Sequence, residues 1–345
     1  MNRRITIVGG GLAGLALGIG LRREGIETVV VEAGTYPRHR VCGEFISGRG
    51  LDVLERLGFR TRCEQAGAAR AHTVAFLAGD AESPPRRLAV PAMCISRHTL
   101  DALLAAGFRE RGGELRTGTR WAREDFGAGI VRATGRRAGA VENGWHWFGL
   151  KAHARGLNLK ADLEMHAVGN GYVGVGLTSG GVANVCGLFR RRTGEASASQ
   201  AGLDMLRGPV GSRLRKRLEG AVFDESSFTA VAGLRLRPGR AASQAECCIG
   251  DAVTMIPPVT GNGMSMAFES AEMAIEPLAA YARGGQNWGR TREAIARRCD
   301  AAFARRLAWA RLAQWLMFSG LLHGPLGPLA LRSEILWRLL FENTR

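Results

Sequence analysis

Short apolar runs and glycines alternate at the start of the chain. Ile5–Val8 is a β-branched run, the glycine-rich segment 9–14 follows it, and an apolar stretch with helical spacing then continues to Glu24. A second β-branched run, Thr28–Val31, ends at Glu32. Short apolar runs separated by a helix are typical of neighbouring parallel strands that are buried on both faces. The pattern therefore predicts a βαβ unit here.

Further along, the hydrophobic pattern predicts helices and strands in alternation. Short strands are predicted at 73–76, 87–90, 114–117 and 129–132, and helices at 49–57 and 96–111, with Ser96 as the N-cap of the latter. Glycine-punctuated alternation predicts an antiparallel sheet with strands at 159–166, 171–177 and 182–188. A strand at 247–250 and helices at 262–283, 291–315 and 331–341 are predicted for the remainder.

Composition and charge exclude several classes of protein. The 345 residues are 46% hydrophobic and 23% charged, which excludes a disordered chain. The net charge is +16, but only three of the 47 basic residues are lysines and the arginines are scattered, so no nucleic acid partner is predicted. The charge favours anionic cofactors and anionic lipid surfaces. Without a leader pattern or an apolar span, the seven cysteines predict reduced thiols in a cytoplasmic protein.

The first glycine segment carries a dinucleotide-binding pattern. Gly9, Gly11 and Gly14 follow a predicted strand and open a predicted helix, and Glu32 ends the next strand. In this pattern the first glycine permits a tight turn, the second lets the backbone approach a pyrophosphate, and the third allows close packing of helix and strand. The pyrophosphate meets the helix N-terminus and the acidic residue accepts hydrogen bonds from a ribose. An adenine dinucleotide site is predicted, with NAD and FAD both open.

A second motif narrows the choice of cofactor. Gly250-Asp251 ends a predicted strand and is followed by Pro257-Pro258-Val259-Thr260-Gly261-Asn262-Gly263 and a helix. Together the two motifs resemble those of the p-hydroxybenzoate hydroxylase and geranylgeranyl reductase superfamily of flavoproteins. The resemblance implies FAD, with Asp251 at the ribityl chain, Pro258 beside the isoalloxazine, and Gly261 and Gly263 at its pyrimidine end.

Two more segments extend this resemblance. The loop from Arg38 to Phe45 is similar to the R-x-C-G-(E/G) loop of the geranylgeranyl reductase branch, and the segment from Ser96 to Asp101 is similar to an S-R-x-x-L-D helix start. The resemblance implies that Arg97, with Arg40 near it, contacts the dinucleotide, since an arginine fork satisfies phosphate oxygens. It also implies that Cys42 and Glu44 lie near the flavin as catalytic candidates. The alternatives are surface charges for the arginines, and a buried thiol and a loop salt bridge for the other two.

One segment departs from the superfamily. Ala133-Thr134-Gly135 stands where many hydroxylases have Ala-Asp-Gly, which leaves the docking of NADPH or NADH open. No second nucleotide motif is present, so the nicotinamide is expected to bind transiently.

The aromatic segment from Gly144 to His153 allows three interpretations. It has a faint likeness to motifs of flavin halogenases and of lipid-handling reductases, and the favoured interpretation is an aromatic strand of the substrate sheet. Trp147 and Tyr172 are predicted substrate residues. His153, Glu164 and His166 suggest a metal, but spacing by two in a strand is more simply explained by ordinary polar positions, so no metal is predicted.

These observations predict an α/β (α+β) fold. It has a Rossmann-like FAD-binding domain, an antiparallel substrate domain and C-terminal helices. The FAD domain is predicted at 1–135, with a substrate-domain hairpin near 70–92, and again at 235–285. The substrate domain is predicted at 136–234 and the helical region at 286–345.

The leading hypothesis for the function is an NAD(P)H-driven FAD monooxygenase that hydroxylates an apolar aromatic, such as a phenolic polyketide or phenolic lipid. The alternatives are a C=C reductase of an isoprenoid and a non-catalytic FAD protein. The Leu-, Trp- and Arg-rich C-terminal helices are expected to pack on the body of the protein, and the alternative is peripheral contact with an anionic membrane.

Overall fold

The computed structural model describes residues 2–122, 126–136, 139, 141–194, 202–324 and 326–345. Within them the strands are β1 (Ile5–Val8), β2 (Thr28–Val31), β3 (Phe45–Ile46), β4 (Ala69–Ala78), β5 (Ala81–Glu82), β6 (Arg86–Cys94), β7 (Glu114–Arg116), β8 (Ile130–Arg132), β9 (Trp145–Arg155), β10 (Leu163–Val168), β11 (Gly171–Leu177), β12 (Ala183–Arg192), β13 (Val222–Ala232) and β14 (Cys247–Cys248). The helices are α1 (Leu12–Arg23), α2 (Arg49–Arg56), α3 (Arg60–Gln65), α4 (Arg97–Glu110), α5 (Gly202–Arg207), α6 (Arg213–Arg217), α7 (Gly263–Ala282), α8 (Trp288–Phe318), α9 (Gly327–Arg332) and α10 (Glu334–Asn343).

A five-stranded parallel sheet forms the first layer, in the order β14, β8, β1, β2, β7. The strands β1 and β2 are apolar except for Thr6 and Thr28, as is typical of parallel strands that are covered on both faces. Helix α1 follows β1 directly and is buried from Leu12 to Leu21, and it packs against α4 and α7. The carboxyl ends of β1 and β2 therefore lie side by side, where Gly9 and Glu32 follow them.

A nine-stranded sheet forms the second layer, in the order β13, β9, β12, β11, β10, β4, β6, β3, with β5 paired to β4. One face packs against α5 and α6 through Val173, Val185, Leu206 and Leu214. The opposite face is apolar near β4 and β10, and residues of α8, α9 and α10 pack against it. This sheet and the parallel sheet are joined by the loop between β2 and β3.

The α/β prediction with a Rossmann-like sheet, a second sheet and C-terminal helices is confirmed. The prediction of strand direction in the second sheet was wrong in one respect. It is mixed and not wholly antiparallel, since β4 and β10 run parallel over Val74 and Leu163 through Ala78 and Ala167. The hairpin of β4 and β6 comes from an earlier part of the chain than β10, so an antiparallel meander cannot connect them. Ser96 caps α4 as predicted, accepting from the Thr99 N–H.

Among the described residues, no helix combines the length and the apolar character that crossing a bilayer requires.

Candidate cofactor and substrate site

One cavity of about 850 Å³ connects the motifs that the sequence singles out. Its wall is formed by the turn after β1, the loop before β3, the segment between β14 and α7, the nine-stranded sheet and the C-terminal helices. Clefts of this size that join apolar walls to a few convergent polar groups are typical of cofactor and substrate sites.

The three glycines of the first turn have different surroundings. Gly9 has a φ of 109°, and a Cβ there would overlap the carbonyl group of Ala133, while a Cβ on Gly14 would overlap the Gly9 carbonyl. These two glycines are required by the fold itself. Gly11 is different, because a Cβ there would have no atom of the described residues within 4 Å. Gly11 is the N-cap of α1, has no capping side chain and faces the cavity, so the free amides of the helix start fit a pyrophosphate.

Glu32 lies at the end of β2 beside this turn. Its carboxylate accepts hydrogen bonds from the N–H groups of Gly10 and Gly34, both at 2.8 Å, and its Oε1 is 2.6 Å from Arg38 Nη2. Burial alone would raise its pKa, but the Gly34 N–H and Arg38 outweigh burial and hold the pKa of Glu32 below its ordinary value. An ionised carboxylate in the cavity wall fits the predicted ribose acceptor.

The second motif forms the adjoining wall. Asp251 follows β14 and faces the cavity with Pro258, Gly261 and Gly263. Burial raises the pKa of Asp251, opposed by Arg136 and Arg97. Gly261 has a φ of 65°, a left-handed conformation that favours glycine. Helix α7 begins at Gly263 with no capping side chain, and this second free helix start is suited to the anionic pyrimidine end of a reduced flavin.

Arg97 and Arg40, the predicted phosphate contacts, meet on one carboxylate. Arg97 donates to Asp101 from Nε at 2.8 Å and from Nη2 at 2.9 Å, and Arg40 Nε lies 3.2 Å from the same group. Asp101 is fully buried, while both arginines also line the cavity. Because one carboxylate faces two guanidinium groups, the cluster keeps a net positive charge toward the cavity, as an anionic cofactor needs.

Glu44 is the centre of a buried charged cluster. Its Oε2 is 2.7 Å from His153 Nε2, and its Oε1 is 3.3 Å from Lys151 Nζ and accepts from the Arg97 N–H at 2.9 Å. Glu44 and Lys151 are both fully buried. Burial alone would protonate Glu44, but the hydrogen bond from His153 and the charge of Lys151 outweigh it and lower the pKa of Glu44. The carboxylate is therefore ionised beside the cavity.

His39 continues this cluster toward the protein surface. Lys151 Nζ donates to His39 Nδ1 at 3.2 Å, and the His39 ring stacks on His98 with centroids 4.7 Å apart. Burial, followed by Lys151 and His153, lowers the pKa of His39 to about 4. His39 is therefore neutral at pH 7, and its Nδ1 is free to accept from the lysine.

Cys42 lies in the same loop but is not a reactive thiolate. Burial raises its pKa above the ordinary value, although Arg97 acts in the opposite direction. A thiol with a raised pKa is a poor nucleophile. Cys42 therefore contributes a neutral surface to the cavity, and its carbonyl accepts from Asn184 Nδ2 at 3.0 Å.

The two predicted substrate residues lie in different positions. Tyr172 is 3% exposed and lines the cavity from β11. Trp147 lies on β9, and its ring packs edge to face on Phe318 at 4.9 Å rather than forming the cavity wall.

Two of the residues that suggested a metal are paired with each other instead. The fully buried Glu164 and the His166 beside it form an ion-pair network with Arg217. In the described part of the chain, no three His, Cys, Asp or Glu side chains are placed to share a metal ion.

Sequence reasoning missed Lys151, His39 and Asn184. On β9, Gly149, Lys151 and His153 alternate on one face of the strand, and this spacing by two is a signal that the sequence contains. A lysine inside an otherwise apolar strand is rare unless it is paired. The partner Glu44 is 107 positions earlier, however, and only the tertiary structure brings the two together.

Substitution of Gly11 separates cofactor binding from folding. We expect Gly11→Ala to weaken FAD binding at least tenfold, and Gly11→Val more, because the added carbons enter the space left for the pyrophosphate and contact no protein atom. Flavin fluorescence titration of the apoprotein measures the dissociation constant. The free energy of unfolding of the apoprotein should stay within about 1 kcal/mol of wild type. Gly14→Ala is the control, and it should destabilise the apoprotein itself. Unchanged FAD affinity in Gly11→Val would place the cofactor elsewhere.

The lowered pKa of His39 predicts acid sensitivity. Between its ordinary value of 6.5 and about 4, the unfolded chain binds a proton that the folded chain does not. Stability is therefore complete above pH 6.5 and is lost as the pH falls toward 4. Urea unfolding midpoints at pH 7, 6, 5 and 4.5 measure this loss. In His39→Gln, which keeps an acceptor for Lys151, the midpoint should depend less steeply on pH. If the midpoint of that variant depends on pH as steeply as that of wild type, the acid sensitivity belongs to the other groups that face the cluster, namely His98, His153, Asp224 and Glu44.

The N-terminal part of the chain is similar in sequence to known proteins. A sequence profile described as the FAD binding domain matches residues 3–142. A 3-amino-4-hydroxybenzoate 2-monooxygenase of Streptomyces platensis is 33% identical over 95 residues, which are 28% of this chain and 24% of that protein. A menaquinone reductase of Mycolicibacterium smegmatis is 28% identical over 124 residues, 35% of this chain and 30% of that protein. The matched segments thus span under a third of these curated relatives.

The fold is shared over nearly the whole chain with a solved flavoprotein. The structure of the flavin-dependent brominase Bmp2 superposes with a TM-score of 0.73 at 17% identity, covering 99% of this chain and 95% of that one. Identity at this level shows a common fold. Residues 3–142 therefore match an FAD binding domain, and nearly the whole chain has the fold of a flavin-dependent enzyme.

Proposed function

We propose that the protein is an NAD(P)H-driven FAD monooxygenase that hydroxylates an apolar aromatic compound. The observation that carries this proposal is the single cavity in which both cofactor motifs and the inner face of the nine-stranded sheet meet. Apolar side chains such as Met165, Leu188 and Leu336 line the part that is distant from the glycine turns. A substrate there is shielded from water and faces the cofactor site.

The wall residues fit FAD at each part of the cofactor. Gly11 and the start of α1 would hold the pyrophosphate, Glu32 the adenosine ribose, Asp251 the ribityl chain, and Gly263 with the start of α7 the pyrimidine end. When bound, FAD supplies the redox chemistry, taking electrons from the nicotinamide and activating dioxygen. NADPH or NADH is proposed as a transient reductant, and the protein contributes orientation, exclusion of water and proton transfer.

We propose that Glu44 accepts the proton that is released when the ring is hydroxylated. Hydroxylation of an aromatic ring replaces a ring hydrogen, and that hydrogen leaves as a proton that needs an acceptor. Glu44 is ionised, and His153 Nε2 and Lys151 Nζ stabilise its charge. Lys151 Nζ lies 3.3 Å from Glu44 Oε1 and 3.2 Å from His39 Nδ1, and so connects this carboxylate to the imidazole of His39. Cys42, held as a thiol, is proposed to shape the wall.

An alternative reaction is reduction of a C=C bond in an isoprenoid. The likeness to a menaquinone reductase and the Cys42-Gly43-Glu44 loop favour it. In this reaction the protonated form of Glu44 would deliver a proton to the carbon next to the reduced one. The two reactions therefore use the same residue in opposite directions, and they differ in their need for dioxygen.

Consumption of dioxygen distinguishes these reactions. With an alkylphenol and naphthol panel, we expect NADPH or NADH oxidation, oxygen consumption and hydroxylated product in equal amounts. Glu44→Gln should lower the rate about 10²-fold or more, the usual size of a lost acid–base contribution, whereas Cys42→Ser should stay within about tenfold. Flavin content and the unfolding midpoint serve as controls for Glu44→Gln. Turnover of a prenylated quinone without oxygen would support the reductase instead, and FAD binding with neither reaction would support a non-catalytic role.

We further propose that the C-terminal helices contact an anionic membrane surface. Their inner faces line the cavity through residues such as Leu316 and Trp337, yet their outer faces are also apolar. Trp315 is 57% exposed, Leu329 68% and Ile335 75%. Exposed arginines accompany these side chains, namely Arg305, Arg311, Arg332 and Arg338. An apolar surface with cationic neighbours complements an anionic lipid surface, and it would bring the cavity close to a lipid-borne substrate.

Vesicle binding tests this contact. We expect co-sedimentation with phosphatidylglycerol-containing vesicles at low salt, weaker binding at high salt as the arginines are screened, and little binding to phosphatidylcholine vesicles. The variant Trp315→Ser with Ile335→Ser should lose binding while keeping FAD, because neither side chain is buried. Concentration-dependent dimerisation without vesicle binding would mean that a second copy of the chain covers this surface.

A further inference from the structure

The inner face of the nine-stranded sheet changes its chemistry from one side to the other. Residues that face each other across the strands form two rows. The rows are Lys151, Cys186, Gly174, Met165, Phe76 and His153, Asn184, Gly176, Leu163, Val74. Each row is thus polar at β9, has glycine at β11 and is apolar at β10 and β4. An elongated molecule with one polar and one apolar end would therefore place its polar end at β9 and its apolar end at β10 and β4.

The middle of both rows is a trough without side chains. Gly174 and Gly176 line the cavity from β11. A Cβ on Gly174 would lie 3.1 Å from Met165 Sδ, and one on Gly176 would lie 3.2 Å from Leu163 Cδ1. Neither glycine needs a positive φ, so backbone geometry does not require glycine at these positions. Their effect is to leave room for a flat group against the sheet.

Asn184 stands at the polar side of the trough with one polar atom unsatisfied. The side chain is 2% exposed, and its Nδ2 donates to the Cys42 carbonyl at 3.0 Å. This bond fixes which way the amide points, because only the nitrogen can donate to a carbonyl. The Oδ1 atom is buried, and none of the residues that the structure describes forms a hydrogen bond with it. A buried acceptor without a partner is costly, and such groups are normally satisfied by a ligand, an ion or water.

Tyr172 holds a second unsatisfied polar atom further along the same face. Its hydroxyl is buried with no hydrogen-bond partner in the described part of the chain, and the residue is 3% exposed. Burial, with Cys186 adding to it, raises the pKa of Tyr172 well above its ordinary value, so the phenol stays protonated. Tyr172 and Gly176 are four residues apart on one strand, about 13 Å along it, and Asn184 is the cross-strand neighbour of Gly176. Because Tyr172 and Asn184 are this far apart along the same face, they can contact different oxygens of one ligand.

We propose that Asn184 Oδ1 is the anchor for a hydroxyl group of the substrate, which rests on the proposed function. The ligand class is an aromatic alcohol or phenol with an apolar remainder. Its O–H donates to Asn184, its ring lies over Gly174 and Gly176, and its apolar part extends over Leu163 and Met165. Because Asn184 is the cross-strand neighbour of His153, the hydroxyl lies at the Glu44 end of the cavity. Tyr172 selects for a second oxygen.

A matched pair of probes tests the acceptor. We would measure binding of 2-naphthol and of 2-methoxynaphthalene, which lacks the donor, to the FAD-loaded protein by calorimetry. Wild type should prefer 2-naphthol, and Asn184→Leu should reduce that preference at least fivefold while leaving the affinity for 2-methoxynaphthalene within about twofold. Asn184→Asp, whose carboxyl group keeps an acceptor oxygen, should retain the preference. Gly174→Val should weaken both probes alike, because it fills the trough.

Tyr172→Phe is the companion variant. It should leave the preference for 2-naphthol unchanged and should weaken 2,6-dihydroxynaphthalene, which carries a second oxygen. Flavin absorbance and the unfolding midpoint confirm that each variant is folded and loaded. The proposal is overturned if wild type binds neither probe, or if Asn184→Leu keeps the full preference for 2-naphthol. Retained discrimination in a protein that shows no oxygen consumption would leave this anchor in place and remove the monooxygenase assignment instead.

Discussion

The ion pair between Glu44 and Lys151 holds the two layers of the protein in register. Both side chains are fully buried, with Oε1 and Nζ 3.3 Å apart. Removing either partner would leave the other buried without its opposite charge in this pair, and breaking a buried pair in this way typically costs about 3–5 kcal/mol. Glu44 lies in the loop that connects the parallel sheet to the nine-stranded sheet, and Lys151 lies on β9. The pair therefore ties the loop from the cofactor layer to the floor of the substrate layer.

This constraint also explains an unusual backbone conformation. Glu44 has a φ of 54°, which is strained for a residue other than glycine. Such a conformation costs about 1–3 kcal/mol and persists only where the surroundings determine it. Here the Arg97 N–H, His153 and Lys151 all hold the carboxylate. The strained residue thereby exposes Gly43 and Cys42 to the cavity and fixes the start of α4.

The sequence predicts site residues well where their role depends on local backbone geometry. It predicts them less well where the role depends on side chains that are distant in the chain. Gly9, Gly14 and Gly261 are required by local geometry, and local geometry leaves a spacing that can be recognised in the sequence. Lys151 and Asn184 carry no such signal, because their roles arise from Glu44 and Cys42, more than a hundred positions earlier. The parallel pairing of β4 with β10 was missed for the same reason, since strand direction across distant segments is set by topology and not by periodicity.

The cavity is built as much by missing side chains as by those that are present. Gly11 leaves space at the dinucleotide end, and Gly174 and Gly176 leave the sheet bare at the substrate end, where an added Cβ would lie 3.1–3.2 Å from Met165 and Leu163. Filling such a site with larger apolar residues would bury more area and add stability. Retaining glycine at these positions forgoes that stabilisation, as does leaving Asn184 Oδ1 and the Tyr172 hydroxyl unsatisfied. Local departures from the best packing of this kind are characteristic of binding sites, and here they lie along one continuous cavity.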